Sequence, residues 1–302
     1  MRWWLAAIAM AGAAASAREL TVTPGEPIRA TVDGRAARLY VGSGRLDRLT
    51  LDADYVAAHG IRPTPLFGRA DLEVGGRREF EGRHRMVTLA IEGETRRTRA
   101  FWFAGAPSRG ADGSIGPWGL PQDRVTFAIG PVRTDETVLA LKLVGRDGDS
   151  SYAAVALDGQ GVALSFDIED GGTLPIATAA AGALIAKSYG GALEGTSWDV
   201  DVLMGVRRPV RLLRLAKPMT IGPLAFDRVA VRVRDRIDAS GRGGFIPEAG
   251  ESTDPDEVVV TGKARGPSPN YVLTIPRAAM ANCSRLTFDK RLMRVELACR
   301  KE

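Results

Sequence analysis

Two short loops hold the residues of this 302-residue chain that could do acid–base chemistry. One is Gly42-Ser43-Gly44. The other is Asp167-Ile168-Glu169-Asp170-Gly171-Gly172. Two carboxylates brought together can share one proton, so that the ionised one activates a water while the protonated one donates to a carbonyl. The second loop offers Asp167 and Asp170 for such a role, with Glu169 between them, and the first offers no acid at all. Asp167 and Glu169 share a face only if the strand stays regular there. Asp47 is the first-half acid that a swing of the chain would bring toward the second loop. A lone Asp in a wet cleft ionises near pH 4 and has no partner to hold a proton. The alternative role for Asp167, Glu169 and Asp170 is a solvated acidic loop.

Other chemistries find little material. The chain has only His59 and His84, and no Cys-x-x-Cys, so neither a metal site nor a cofactor is expected. Gly-x-Ser-x-Gly and phosphate-cradling loops are absent. Ser43 between two glycines has no histidine evidently placed to activate it.

The elements that must position the two loops are repeated. Sliding the sequence by 125 residues lays Asp33-Gly34 on Asp158-Gly159, Leu39 on Leu164, Val41 on Phe166, Leu49 on Leu174 and Leu51 on Ile176. Each copy reads as strand, Asp-Gly hairpin turn, apolar strand, tight loop and short helix. The helices are Tyr55–His59, stopped by Gly60, and the Ala-rich Thr178–Ser188, stopped by Gly190-Gly191. His59 at a helix end reads as a capping or surface residue. Arg211–Ala216 echoes Arg85–Ala90, and Arg285-Leu286-Thr287-Phe288 echoes Arg124-Val125-Thr126-Phe127.

This order resembles the core unit of aspartic peptidases of the retropepsin and pepsin type, whose second strand runs into Asp-Thr/Ser-Gly before an apolar pair and a helix. Asp112-Gly113-Ser114-Ile115-Gly116 is similar to the stretch that the family places before its closing strands. Pro117-Trp118 stands where its short helix would be. The resemblance implies an all-β fold of two similar β-barrel lobes related by a pseudo-twofold, residues 18–135 and 136–302. It also implies a catalytic position at Asp167 or, shifted by three, at Asp170. Gly42 occupies the first lobe's catalytic position, and Ile168 and Glu169 replace the usual Thr/Ser and Gly. The expected function is a catalytically impaired peptidase-like protein binding extended peptide or an unfolded segment in the cleft between the lobes. The alternative is an active endopeptidase in which Asp167 or Asp170 works with an unrecognised second carboxylate.

Composition is ordinary for a globular chain, with 45% hydrophobic and 25% charged residues. The net charge of +5 does not point to nucleic acid, because the arginines alternate with apolar residues, as in Arg228–Arg234. That is the pattern of a solvated sheet face, with a loose preference for acidic partners. Residues 1–17 read as a signal peptide: Arg2, an apolar run from Leu5 to Ala15, and Ala15-Ser16-Ala17 as a cleavage pattern. A retained anchor is the other reading; no second run is long enough to span a bilayer. Export to a periplasm would let Cys283 and Cys299 pair across the open end of a hairpin, two separate buried thiols being the alternative. Residues 247–269, acidic and rich in Gly, Ser, Thr and Pro, read as an exposed insertion. Within it Val258–Gly262, following Glu257, is either an edge strand or a docking box for an envelope protein, resembling that of TonB-dependent receptors.

Overall fold

The computed structural model describes residues 18–44, 47–74, 78–104, 110–144, 151–169, 171–233 and 271–301. Residues 1–17, read from sequence as a signal peptide, Asp170, and residues 247–269, read as an insertion carrying Val258–Gly262, lie outside the described residues.

The fold is all-β, built on two sheets. In chain order the first half contributes β1 (Glu19–Val22), β2 (Ile28–Val32), β3 (Arg35–Val41), β4 (Leu49–Leu51), α1 (Ala53–Ala58), β5 (Arg69–Val74), β6 (Arg78–Ile91), β7 (Glu94–Phe103), β8 (Gly113–Ile115) and β9 (Arg124–Ala128). The second half follows with β10 (Glu136–Val144), β11 (Tyr152–Leu157), β12 (Gln160–Asp167), β13 (Ile176–Ala177), α2 (Ala179–Tyr189), β14 (Gly191–Leu203), β15 (Val206–Ile221), β16 (Leu224–Arg232), β17 (Val272–Pro276), β18 (Cys283–Asp289) and β19 (Arg294–Arg300).

One sheet runs β2-β3-β8-β4-β7-β6-β5, and a further β2–β6 pairing closes it into a barrel. The other contains β11-β12-β17-β13-β16-β15-β14, the same sequence of strands with the same parallel and antiparallel senses. The local chemistry explains the match. Asp33-Gly34 and Asp158-Gly159 both adopt positive φ, 49° and 77° against 49° and 75°. This is the turn that suits a two-residue hairpin, and Asp and Gly tolerate it. Both hairpins then zip in one register, Ile28 opposite Leu39 and Ala153 opposite Leu164. Asp52 caps α1 through the amide of Asp54, and Thr178 caps α2 through that of Ala181.

The repeat drifts beyond the hairpins. Thr50 pairs with Ser114 as Ile176 pairs with Thr274, so Ile176 matches Thr50 and not Leu51. Farther on, His84 lies opposite Phe101 and Leu212 opposite Ala230, which places Leu212 on His84 rather than on Met86. Extra loop residues account for the slips, since strand pairing holds the register and the loops absorb the length. Pro117–Gly119 is a short 3₁₀ turn where the family's helix was expected.

The larger sheet continues from β11 through β10 and β19 to β18, β9 and β1, so both halves share it. Near this end of the sheet β9 and β18 run antiparallel with Thr126 opposite Thr287, and the two hydroxyls lie 3.1 Å apart. The echoed Arg-x-Thr-Phe segments therefore pair about their own threonines, as a local twofold requires. Phe127 and Phe288 flank this point edge to face, 6.0 Å between centroids, both fully buried. Cys283 pairs directly with Cys299 and the two form a disulfide across the β18–β19 hairpin.

Candidate functional site

The two loops singled out by sequence meet. Val41 pairs with Ile115 as Phe166 pairs with Ile275, so the residues that follow, Gly42 and Asp167, are equivalent. Ser43 then matches Ile168, and Gly44 matches Glu169. The buried Ser43 hydroxyl donates to the carbonyl of Phe166 and accepts from the amide of Ile168 at 3.4 Å. One hydroxyl thus locks the first loop onto the second on both sides of Asp167. A side chain at Gly44 would meet the Asp167 carboxyl, since a Cβ there lies 2.7 Å from Cβ and Cγ of Asp167. Glycine is required at this position by approach alone.

Asp167 is half-buried, and its Oδ1 accepts from the Glu169 amide at 3.1 Å. That turn ends β12 at Asp167, so the regular strand on which Asp167 and Glu169 would share a face stops there. Gly42 is buried and donates its amide to Ile115, 3.2 Å away. The first loop thus lays the Ser43 hydroxyl and the bare Cα of Gly44 against the second loop around its acid.

Asp47 does not reach that junction as a free acid. It is buried, its Oδ1 accepting from the Trp118 amide and its Oδ2 from the Ser151 hydroxyl, both at 2.7 Å. Gly116 and Gly119 make room for it, for a Cβ on either would collide with Asp47. Burial pushes its carboxyl up to about 7, against the pull of the Ser151 and Trp118 hydrogen bonds. Lys290 is half-buried, desolvation lowers it to about 8, and its ammonium donates to the Leu120 carbonyl at 2.7 Å. Arg96 donates to the carbonyls of Trp118 at 2.7 Å and Leu120 at 3.3 Å. Sequence reasoning named Asp47 but missed this cluster, because Ser151, Trp118 and Lys290 are brought together only by the shared sheet.

His59 ends α1, its Nδ1 3.0 Å from the Tyr55 carbonyl, as a capping residue should. His84 lies in β6, held below its ordinary range by burial and by nearby Arg99. A second apolar cluster joins the halves: Phe80, Phe101 and Phe103 pack with Val206 and, around them, Val202, Leu203 and Met204 of the β14–β15 hairpin. Beside it lies a cavity of about 470 Å³ whose walls come from β5, β6, β7, the segment at Asp47 and Trp118. No helix among the described residues is long and apolar enough to cross a membrane. A comparison with protein-family models finds no match for this chain, and a comparison with curated proteins finds none either.

Proposed function

We propose that this chain is an exported, two-lobed protein similar to aspartic peptidases, which holds an extended peptide between its lobes without cleaving it. One observation carries the reading: in the paired loops, the position equivalent to Asp167 is Gly42. Shared-proton chemistry needs two carboxylates, and loss of general acid–base help removes about 10²–10⁴-fold in rate. Asp47, the nearest first-half acid in sequence, is consumed by Trp118 and Ser151. The retained lock of Ser43 on Phe166 and Ile168 keeps the loops together, which suits a groove kept for binding. The Cys283–Cys299 disulfide favours an oxidising compartment such as the periplasm.

The test has two arms on the mature protein. A labelled, unstructured peptide should bind by fluorescence anisotropy, and Asp167→Ala should leave that binding within a few-fold. An unfolded protein substrate should survive incubation from pH 3 to 7. Cleavage abolished by Asp167→Ala would establish a peptidase instead, and absence of any peptide binding would sink the groove.

A further inference from the structure

The cavity beside the hairpins is built for negative charge. Five arginines and His84 line it against two acids, Asp47 and Asp71. Those two are already turned to other tasks: Asp47 holds Trp118 and Ser151, and Asp71 lies 3.5 Å from Arg69. Arg48 sits over the Phe101 ring, 5.2 Å from its centroid, and Arg96 is tied to two carbonyls. Arg97 and Arg99 differ. Both are exposed, they alternate along β7 on the face that also carries Thr88 and Met86, and neither has an ion pair among the described residues. Two guanidinium forks two residues apart on one strand are spaced like alternate side chains of an extended peptide.

The cavity runs from these arginines across β6 to a strand edge on its far side. β5 ends the barrel sheet, and its outer edge is unpaired among the described residues. Its Arg69, Ala70 and Asp71 form part of the same cavity wall. An added strand there would gain main-chain hydrogen bonds and direct alternate side chains toward the cavity.

We propose that this cavity is an acid-selective subsite in which Arg97 and Arg99 receive carboxylate side chains of an extended peptide. The inference rests on the peptide-binding reading and adds a substrate class to it. The selectivity is a matter of charge: each carboxylate gains charge-assisted hydrogen bonds that its amide isostere lacks.

The experiment measures binding of a labelled peptide alternating alanine and glutamate, and of its alanine–glutamine counterpart, to the wild-type chain and to the Arg97→Gln/Arg99→Gln variant. The glutamate peptide should bind about tenfold more tightly and lose that advantage in the variant, which keeps its weaker affinity for the glutamine peptide. Added salt should erase the preference as well. Equal binding of the two peptides, or a preference that survives in the variant, overturns the subsite and leaves the groove standing. Failure of both peptides to bind overturns the groove and the subsite together.

Discussion

The two halves of this chain thread seven strands in one order, yet among the described residues only the first closes. The same turn residue makes the difference visible. Asp33, at the first hairpin turn, accepts from the Thr88 amide at 2.8 Å, while its own amide donates to the Thr88 carbonyl at 2.9 Å. These bonds extend the β2–β6 pairing that shuts the barrel. Asp158, at the equivalent turn, pairs instead with Lys187 on the surface of α2, 3.1 Å away. The outer edge of β11 is taken by β10, which ties the second half to the shared sheet. The repeated unit keeps one strand order in both halves, whereas closure depends on which strand occupies the open edge. The paired loops differ in the same way: similar backbones carry a hydroxyl and glycines on one side and an acid on the other.

Breaking the shared sheet should have the largest effect, because both halves lean on it. Replacing Cys283 and Cys299 by alanine should cost about 2–5 kcal/mol and lower the melting temperature in one transition for the whole chain, followed by calorimetry. Two separated transitions would mean that the halves are independent.

Asp47 sharpens the contrast next, since counting back from β13 the second half has Thr173 in its place. Between about pH 4 and 7 the folded chain holds a proton on Asp47 that the unfolded chain releases, so stability should fall as pH rises through that window. The decline is on the order of 4 kcal/mol if the whole shift is expressed. Lys290 acts beyond it: the partly desolvated ammonium is discharged from about pH 8 upward, and stability should recover toward pH 10. Denaturant titrations of wild type and Asp47→Asn across pH 4–10 check both limbs. An Asp47→Asn profile as steep as wild type below pH 7 would assign the decline to another group.

Gly44→Val should cost about 1–3 kcal/mol by forcing the loops apart at Asp167. Gly161→Ala, where a Cβ meets nothing within 4 Å, should fall within about 0.5 kcal/mol of wild type. The last comparison is between the two turns. Asp33→Ala should cost about 1 kcal/mol more than Asp158→Ala, because it orphans a closing bond rather than a surface ion pair. Equal losses in urea titrations would remove Asp33 from the account of closure.

Much of this was legible in the residues. The Asp-Gly turns with their alternating strands gave the hairpins, and the offset of Gly42 from Asp167 held through the loop. Local rules suffice there: two-residue turns set register, and capping residues set helix starts. Longer offsets drifted, as Leu212 against His84 shows, because the pairing that fixes register spans loops whose length the repeat does not conserve between halves.

Sequence alone thus settled the β character, the two Asp-Gly hairpins and the absence of an acid from the first loop, since each follows from residues near in the chain. Tertiary structure decided which half closes, that Ser43 grips the opposite loop, and that Asp47, Ser151, Trp118 and Lys290 form one cluster. Those partners lie far apart along the chain, and only the shared sheet brings them within bonding distance.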